Sequence, residues 1–270
     1  MNFPQMYRIR QSFDKTAVPD IPGTVKAELR RLGLERKVKP GQRVAITAGS
    51  RGVANIAIIL KAVVEHMKSI GAKPFIFPAM GSHGGAKAEG QVDLLAHYHV
   101  TEAFTGAPIL SSMEVVEISR TEDGVPVFID RNASQADWII VVNRIKPHTG
   151  FAEPFGSGLL KMLAVGLGKV PGASQIHRQG PSQMAEAIEA IARIFLESGK
   201  VIGGIAIIED AHDEIVKIVA VRPDEMIAKE RELFREAKAL MPRLPVEDLD
   251  VLIVDEIGKN YSGSGMDVNV

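Results

Sequence analysis

Three loops gather most of the residues able to bind an anion or move a proton, and each follows an apolar run of strand length. The first, Thr47-Ala48-Gly49-Ser50-Arg51-Gly52, leads into a helical pattern whose free N–H groups and positive dipole end favour an anion. Arg51 can grip a carboxylate or phosphate there through two parallel hydrogen bonds. The plainer reading is a β-to-α turn with a solvated arginine, and neither the dinucleotide nor the P-loop glycine spacing is present. The second loop, Met80-Gly81-Ser82-His83-Gly84-Gly85, sets glycines on both sides of His83. They let the backbone approach a ligand and leave uncrowded an imidazole whose ordinary pKa, about 6.5, suits proton transfer.

The third loop is the richest: Asn143-Arg144-Ile145-Lys146-Pro147-His148-Thr149-Gly150-Phe151, then Gly156-Ser157-Gly158-Leu159-Leu160-Lys161, and further on His177-Arg178. Pro147 fixes the backbone before His148, and the Gly-Ser-Gly turn opens a helix with Lys161 about one turn into it. Arg144, Lys146 and Lys161 beside two histidines form a basic cluster. It would attract an anionic substrate or cofactor phosphate and depress the histidine pKa values, keeping neutral imidazole available. The bland alternative is a charged loop in solvent. His66, His97 and His99 sit within or at the end of helical patterns and read as structural.

Two histidines on different loops can act from opposite faces of one carbon, as a racemase or epimerase requires. The α-hydrogen of a 2-hydroxy acid is too weakly acidic for imidazole alone, so an electrophilic cofactor or metal must accept the electrons or a hydride. His177 is the spare imidazole for such a metal, and neutral imidazole suits nickel, zinc or copper.

The elements that carry these loops alternate. Strand patterns at Arg43–Thr47, Lys73–Pro78, Trp138–Val142, Val201–Ile208 and Glu214–Val221 are interleaved with helical ones at Ile56–Ile70, Ala88–Tyr98, Leu159–Leu167, Ser182–Leu196 and Asp224–Leu240. Val115–Ile118 and Val125–Ile129 flank the turn signal Glu122-Asp123-Gly124 and read as a hairpin. This predicts an α/β fold with a largely parallel sheet flanked by helices, its ligand site at the carboxyl ends of strands. Val251–Val254 reads as a further buried strand running into a Gly/Ser loop. The expected division is residues 1–245 as the α/β domain with the site and 246–270 as the start of a second α/β segment or a return strand that continues beyond this chain.

Composition narrows the classes. Lys plus Arg number 32 and Asp plus Glu 33, a net charge of −1 that argues against binding nucleic acid or anionic membranes by bulk charge. With Trp 1 and Tyr 3 there are few platforms for stacking bases. Cys 0 excludes disulfides, thiolate zinc sites, protein-ligated iron–sulfur clusters and a cysteine nucleophile. The N-terminus lacks an apolar core of signal-peptide length, and no apolar run reaches the ~18 residues of a membrane span, so a cytoplasmic protein is expected.

The ordered set Ser50-Arg51, Gly81-Ser82-His83, Lys146-Pro147-His148, Gly156-Ser157-Gly158-Leu159-Leu160-Lys161 and His177 resembles the nickel-dependent lactate racemase family of 2-hydroxy acid racemases and epimerases. The resemblance implies a two-domain α/β protein that uses a nickel-pincer nucleotide, whose own sulfurs and ring carbon hold the metal. Position by position, it implies Lys161 as the thioamide link to the cofactor and His177 as the protein ligand to nickel. His83 and His148 would be the paired acid/base residues, Arg51 the substrate carboxylate's partner, and Gly156, Ser157 and Gly158 neighbours of the cofactor phosphate. The partners implied are a small 2-hydroxy acid and the cofactor-biosynthesis proteins. The chain departs from the pattern at Ala48, where the family usually carries Asp, and in a longer stretch between His148 and Lys161, which points to a 2-hydroxy acid other than lactate. The competing reading is a non-catalytic anion- or nucleotide-binding α/β protein using the same loops. A histidine-metal hydrolase ranks last because HExxH is absent.

Overall fold

Among the described residues, strands form at β1 (Arg43–Ala48), β2 (Lys73–Pro78), β3 (Val115–Arg120), β4 (Pro126–Asp130), β5 (Trp138–Arg144), β6 (Val201–Glu209) and β7 (Ile215–Val221). The computed structural model describes residues 5–14, 16–149, 154–246, 248–258, 262 and 265–270. Gly150 and Phe151 of the third loop, and residues 259–261, 263 and 264 of the Gly/Ser loop, lie outside these. Five strands build one sheet in the order β2-β1-β5-β6-β7, and β3 with β4 forms a separate antiparallel hairpin. The pairs β1–β2, β1–β5 and β5–β6 are parallel. β7 runs antiparallel to β6, because residues 210–214 between them are too few for a crossover. The fold is therefore α/β with a mostly parallel sheet, as the alternation predicts.

Helices cover both faces: α1 (Ile21–Leu32), α2 (Ile56–Ser69), α3 (Ala88–His97), the short α4 (Glu102–Thr105) and α5 (Arg131–Ser134), α6 (Leu159–Lys161), α7 (Lys169–Arg178), α8 (Met184–Glu197) and α9 (Met226–Leu240). Alternate strand residues divide between two cores. Ile139 and Val141 of β5 and Ala206 and Ile208 of β6 pack with Leu160, Ile188, Phe195 and Phe234 from α6, α8 and α9. Ile140, Val142, Ile205 and Ile207 pack with Leu29, Ile59, Leu60 and Val63 from α1 and α2. Burial on both faces is why these strands read as unbroken apolar runs.

Besides the short α4 and α5, which the sequence reading did not expect, the structure differs from it in three places. α1 was not expected; its signals are Asp20, whose carboxylate accepts from Gly23 N–H at 2.9 Å, and Gly33 in the left-handed region after its last turn. The pattern at Leu159–Leu167 is a short α6 continued by a π-helical turn, Met162–Gly166, and a new helix α7 begins at Lys169. Pro171 and Gly172 conceal α7, but Pro171 lies in its first turn, where a missing N–H costs nothing, and Gly172 N–H donates to Gly168 O at 2.7 Å. Val251–Val254 forms no strand and is exposed, since no neighbouring strand offers it a hydrogen-bond ladder. Among the described residues of 246–270 there is no helix or strand. Among the described residues no helix is long and apolar enough to cross a membrane.

Candidate functional site

Strand order places a cleft. From β1 the chain moves to β2 on one side and later to β5 on the other, and such a switch leaves a crevice outside the carboxyl ends of the strands. β1 pairs with β5 only over Val44–Ile46. Beyond that the Thr47 hydroxyl bridges the two strands, accepting from Val142 N–H at 2.8 Å and lying 3.3 Å from Val142 O. The loops bearing Arg51, His83 and His148 leave from the ends of β1, β2 and β5.

His148 is the centre of the arrangement. Its pKa is lowered to about 4, first by burial and then by the positive charges of Lys161, Arg51 and His177, with Asp267 opposing. Three of the residues singled out from sequence thus lie within electrostatic reach of a fourth, whose imidazole is neutral at physiological pH. Lys161 is lowered to about 8, by burial and then by Arg51, so about a tenth of its amine is uncharged at pH 7. Arg51 and His177 are exposed. His83, also exposed, joins through the first loop: its Nδ1 shares a hydrogen bond with Ser50 Oγ, and Tyr98 Oη donates to Ser50 O at 3.2 Å.

The basic cluster expected around the third loop is only partly available. Arg144 pairs with Glu209, whose other oxygen accepts from Ala54 N–H at 2.6 Å. The Glu209 carboxylate therefore lies against the segment that leads into α2, two residues before the helix begins. Lys146 pairs with Asp267 at 3.2 Å, and Asn269 Nδ2 lies 3.5 Å from His148 O, so residues near the C-terminus sit against this loop. Lys146 and Ser157 exchange backbone hydrogen bonds of 2.9 and 2.8 Å, which close the loop at its base.

The Gly-Ser-Gly turn is held from below. A Cβ on Gly156 would stand 2.2 Å from Lys146 O, and one on Gly158 would stand 2.2 Å from Glu230 Oε1. Packing therefore requires both glycines. Glu230 of α9 is buried at the start of α6, with Oε2 accepting from Leu160 N–H at 2.9 Å and Oε1 without a hydrogen-bond partner among the described residues. Burial pushes its pKa up to about 7 against the pull of the Leu160 and Leu159 N–H groups. The π-helical turn after Lys161 presses Gly166 against Ala79, where a Cβ would be 2.7 Å from Ala79 O. Such turns recur beside functional residues.

Sequence reasoning did not find Glu230, Glu209, Asp130, Lys169 or Gln91. Their partners are distant in the chain, so no spacing announces them. His66 is buried in α2, and His97 and His99 lie at and beyond the end of α3, where the helical patterns place them.

A family model described as the lactate racemase N-terminal domain matches residues 14–185, a span that includes Arg51, His83, His148, Lys161 and His177 and excludes α9. No curated protein matches the chain. Among solved structures it is similar to the lactate racemase apoprotein from Thermoanaerobacterium thermosaccharolyticum, at 14% identity and a TM-score of 0.57. The likeness covers 81% of this chain and 56% of that one. At that identity the likeness carries the fold, while the family match carries membership. The chain belongs to the lactate racemase N-terminal domain family.

Proposed function

We propose that the protein is a racemase or epimerase of a small 2-hydroxy acid other than lactate, working by proton-coupled hydride transfer with a nickel-pincer nucleotide. The observation that supports this most is the convergence of Arg51, Lys161 and His177 on a neutral His148 at the carboxyl ends of parallel strands.

The residues present fit such a group in two respects. Among the described residues no cluster of three or more His, Cys, Asp or Glu could hold a metal. A cofactor that brings its own donors needs only one imidazole and one amine, which His177 and Lys161 supply. Lys161, lowered to about 8, is nucleophilic enough at neutral pH for a covalent link. The start of α6 does not fit a phosphate, because the Glu230 carboxyl fills it. Of Gly156, Ser157 and Gly158, only half-buried Ser157 has a side chain to offer a phosphate beside the turn.

When bound, the cofactor supplies a two-electron acceptor and donor for hydride. The chain's own residues do the rest. Arg51 holds the substrate carboxylate as a paired anion and so orients the α-carbon. His148, neutral at pH 7, takes the hydroxyl proton on one face. His83, hydrogen-bonded to Ser50 through Nδ1, gives or takes that proton on the other. Deprotonating the hydroxyl as hydride departs gives a planar 2-keto acid, and reversal on the opposite face inverts the centre. Separate cofactor-making enzymes would load the protein, and a cytoplasmic location belongs to the same proposal.

The test is to incubate cofactor-loaded protein with a panel of chiral 2-hydroxy acids and follow optical purity by chiral chromatography. Interconversion of one member, lost in His148→Gln, is expected; an unchanged panel overturns the reading. Intact-mass spectrometry supplies an independent arm: an adduct with stoichiometric nickel, absent in Lys161→Ala. Exposed Arg51, with no carboxylate partner among the described residues, favours the second reading of a non-catalytic anion binder. Tight calorimetric binding of a small carboxylate, indifferent to His148→Ala and without turnover, would select it.

A further inference from the structure

Lys169 is buried with its backbone at φ +50°, a region that residues with a Cβ rarely adopt. Its ammonium donates to Pro78 O at the end of β2, donates to Gln91 Oε1 of α3 at 3.0 Å, and lies 3.3 Å from the Asp130 carboxylate at the end of β4. Asp130 is fully buried as well, and its Oδ1 accepts from Asn132 and Ala133 N–H at 2.8 and 3.0 Å to start α5. Burial draws the Lys169 pKa down and pushes that of Asp130 up, while each charge opposes the shift of the other. Gln91 is wholly buried and continues the chain of bonds: its amide donates to Gly81 O at 3.0 Å and His83 O at 3.2 Å.

We infer that Lys169, acting through Gln91, is a positioning residue that fixes the His83 loop relative to the helix ending in His177. Lys169 is the first residue of α7 and His177 lies in that helix's last turn, so the ammonium, through Gln91, links one candidate site element to the other. The loop has little other freedom. Gly84 sits at φ +64° with its Cα against Gly90, where a Cβ would stand 2.6 Å from the Gly90 carbonyl carbon. A well-packed apolar side chain could fill the Lys169 site without a desolvation penalty. What the ammonium supplies, and an apolar residue cannot, is a fixed distance between three carbonyl-bearing or carboxyl-bearing segments.

This role rests on the proposed function for its kinetic consequence, while the geometry is tested apart from it. Two variants separate positioning from stability. Gln91→Leu removes both bonds to the His83 loop and leaves the ion pair, and Lys169→Met/Asp130→Asn removes both charges together so that none is orphaned. In protein labelled at histidine, with the His83 signal assigned through His83→Gln, both folded variants should shift or broaden the His83 ring resonances and leave those of His97 and His212 in place. In the loaded enzyme kcat should fall about tenfold or more with KM within about threefold, the pattern of a displaced acid/base group. Unchanged His83 resonances in either folded variant overturn the proposal. So does failure of both to fold, which would make the network a support of the core as a whole. If the wild type turns over no 2-hydroxy acid, the functional reading fails and the resonance comparison still decides this one.

Discussion

Glu230 offers the sharpest physical test of the site's foundation. Its carboxyl has an ordinary value of 4.5 and is pushed up to about 7 by complete burial at the start of α6. A group whose folded pKa is raised stabilises the native state fully below its unfolded value, and that contribution is lost as pH rises through the folded one. At about 1.4 kcal/mol per pH unit, the interval from 4.5 to about 7 corresponds to about 3 kcal/mol lost between pH 4.5 and 8. No screening discount applies, because the side chain is buried. Glu230→Gln keeps an oxygen to accept from Leu160 N–H and removes the ionisation. Urea unfolding of both proteins across this range should give similar stabilities near pH 4.5. The variant should then gain about 3 kcal/mol on the wild type by pH 8, or roughly 6 to 10 °C in midpoint temperature. Parallel curves, within about 0.5 kcal/mol throughout, would falsify the claim that this carboxyl titrates while buried.

His148 carries the opposite sign. Its folded pKa is depressed to about 4, so the native state binds fewer protons than the unfolded chain between 6.5 and 4 and loses stability as pH falls through that window. Partial exposure reduces the effect to roughly 1–2 kcal/mol, which His148→Gln should abolish, and NMR titration of Arg51→Leu should move the His148 midpoint upward. Gly158→Ala drives a Cβ to 2.2 Å from Glu230 Oε1 and should cost about 2–3 kcal/mol in thermal unfolding, with part regained in Gly158→Ala/Glu230→Ala. Glu209→Ala leaves Arg144, whose side chain is 17% exposed, without its partner and strips the acceptor from Ala54 N–H. It should cost about 3–4 kcal/mol by denaturant unfolding, and a loss under about 1 kcal/mol would show the pair to be ornamental.

The parallel strands and the helices α2, α8 and α9 are legible because burial on two faces, or on one stripe, leaves a periodic trace in the residues themselves. The loops bearing Arg51, His83 and His148 are legible for a related reason: glycines and a proline interrupt that trace where a backbone must turn at a strand end. What is illegible is pairing at a distance. Lys169 beside Pro171 and Gly172 looks like part of a loop, and only the fold shows it meeting Asp130 and Gln91. Arg144 and Lys146 look like members of a ligand-binding cluster until Glu209 and Asp267 arrive from elsewhere in the chain. The error at Val251–Val254 has the same origin: four apolar residues specify a strand only if another strand lies beside them.

Those distant pairs share a location. Glu209 meets Arg144 at the carboxyl end of β5 and reaches the segment that leads into α2; Glu230 fills the start of α6; Lys169 and Gln91 clamp the turn after β2. Each puts a buried polar or charged group under a loop of the cleft, where backbone N–H and C=O groups leaving the sheet would otherwise lack partners. The chain thus satisfies its own loop and strand ends from within and presents Arg51 and His177 outward, around an imidazole kept neutral. Two of these supports, Glu209 and Glu230, come from β6 and α9, beyond the stretch that matches the family. The elements after residue 185 are therefore part of the site's foundation, and a protein cut at that boundary would keep Arg51, His83, His148, Lys161 and His177 and lose the groups that hold two of their loops.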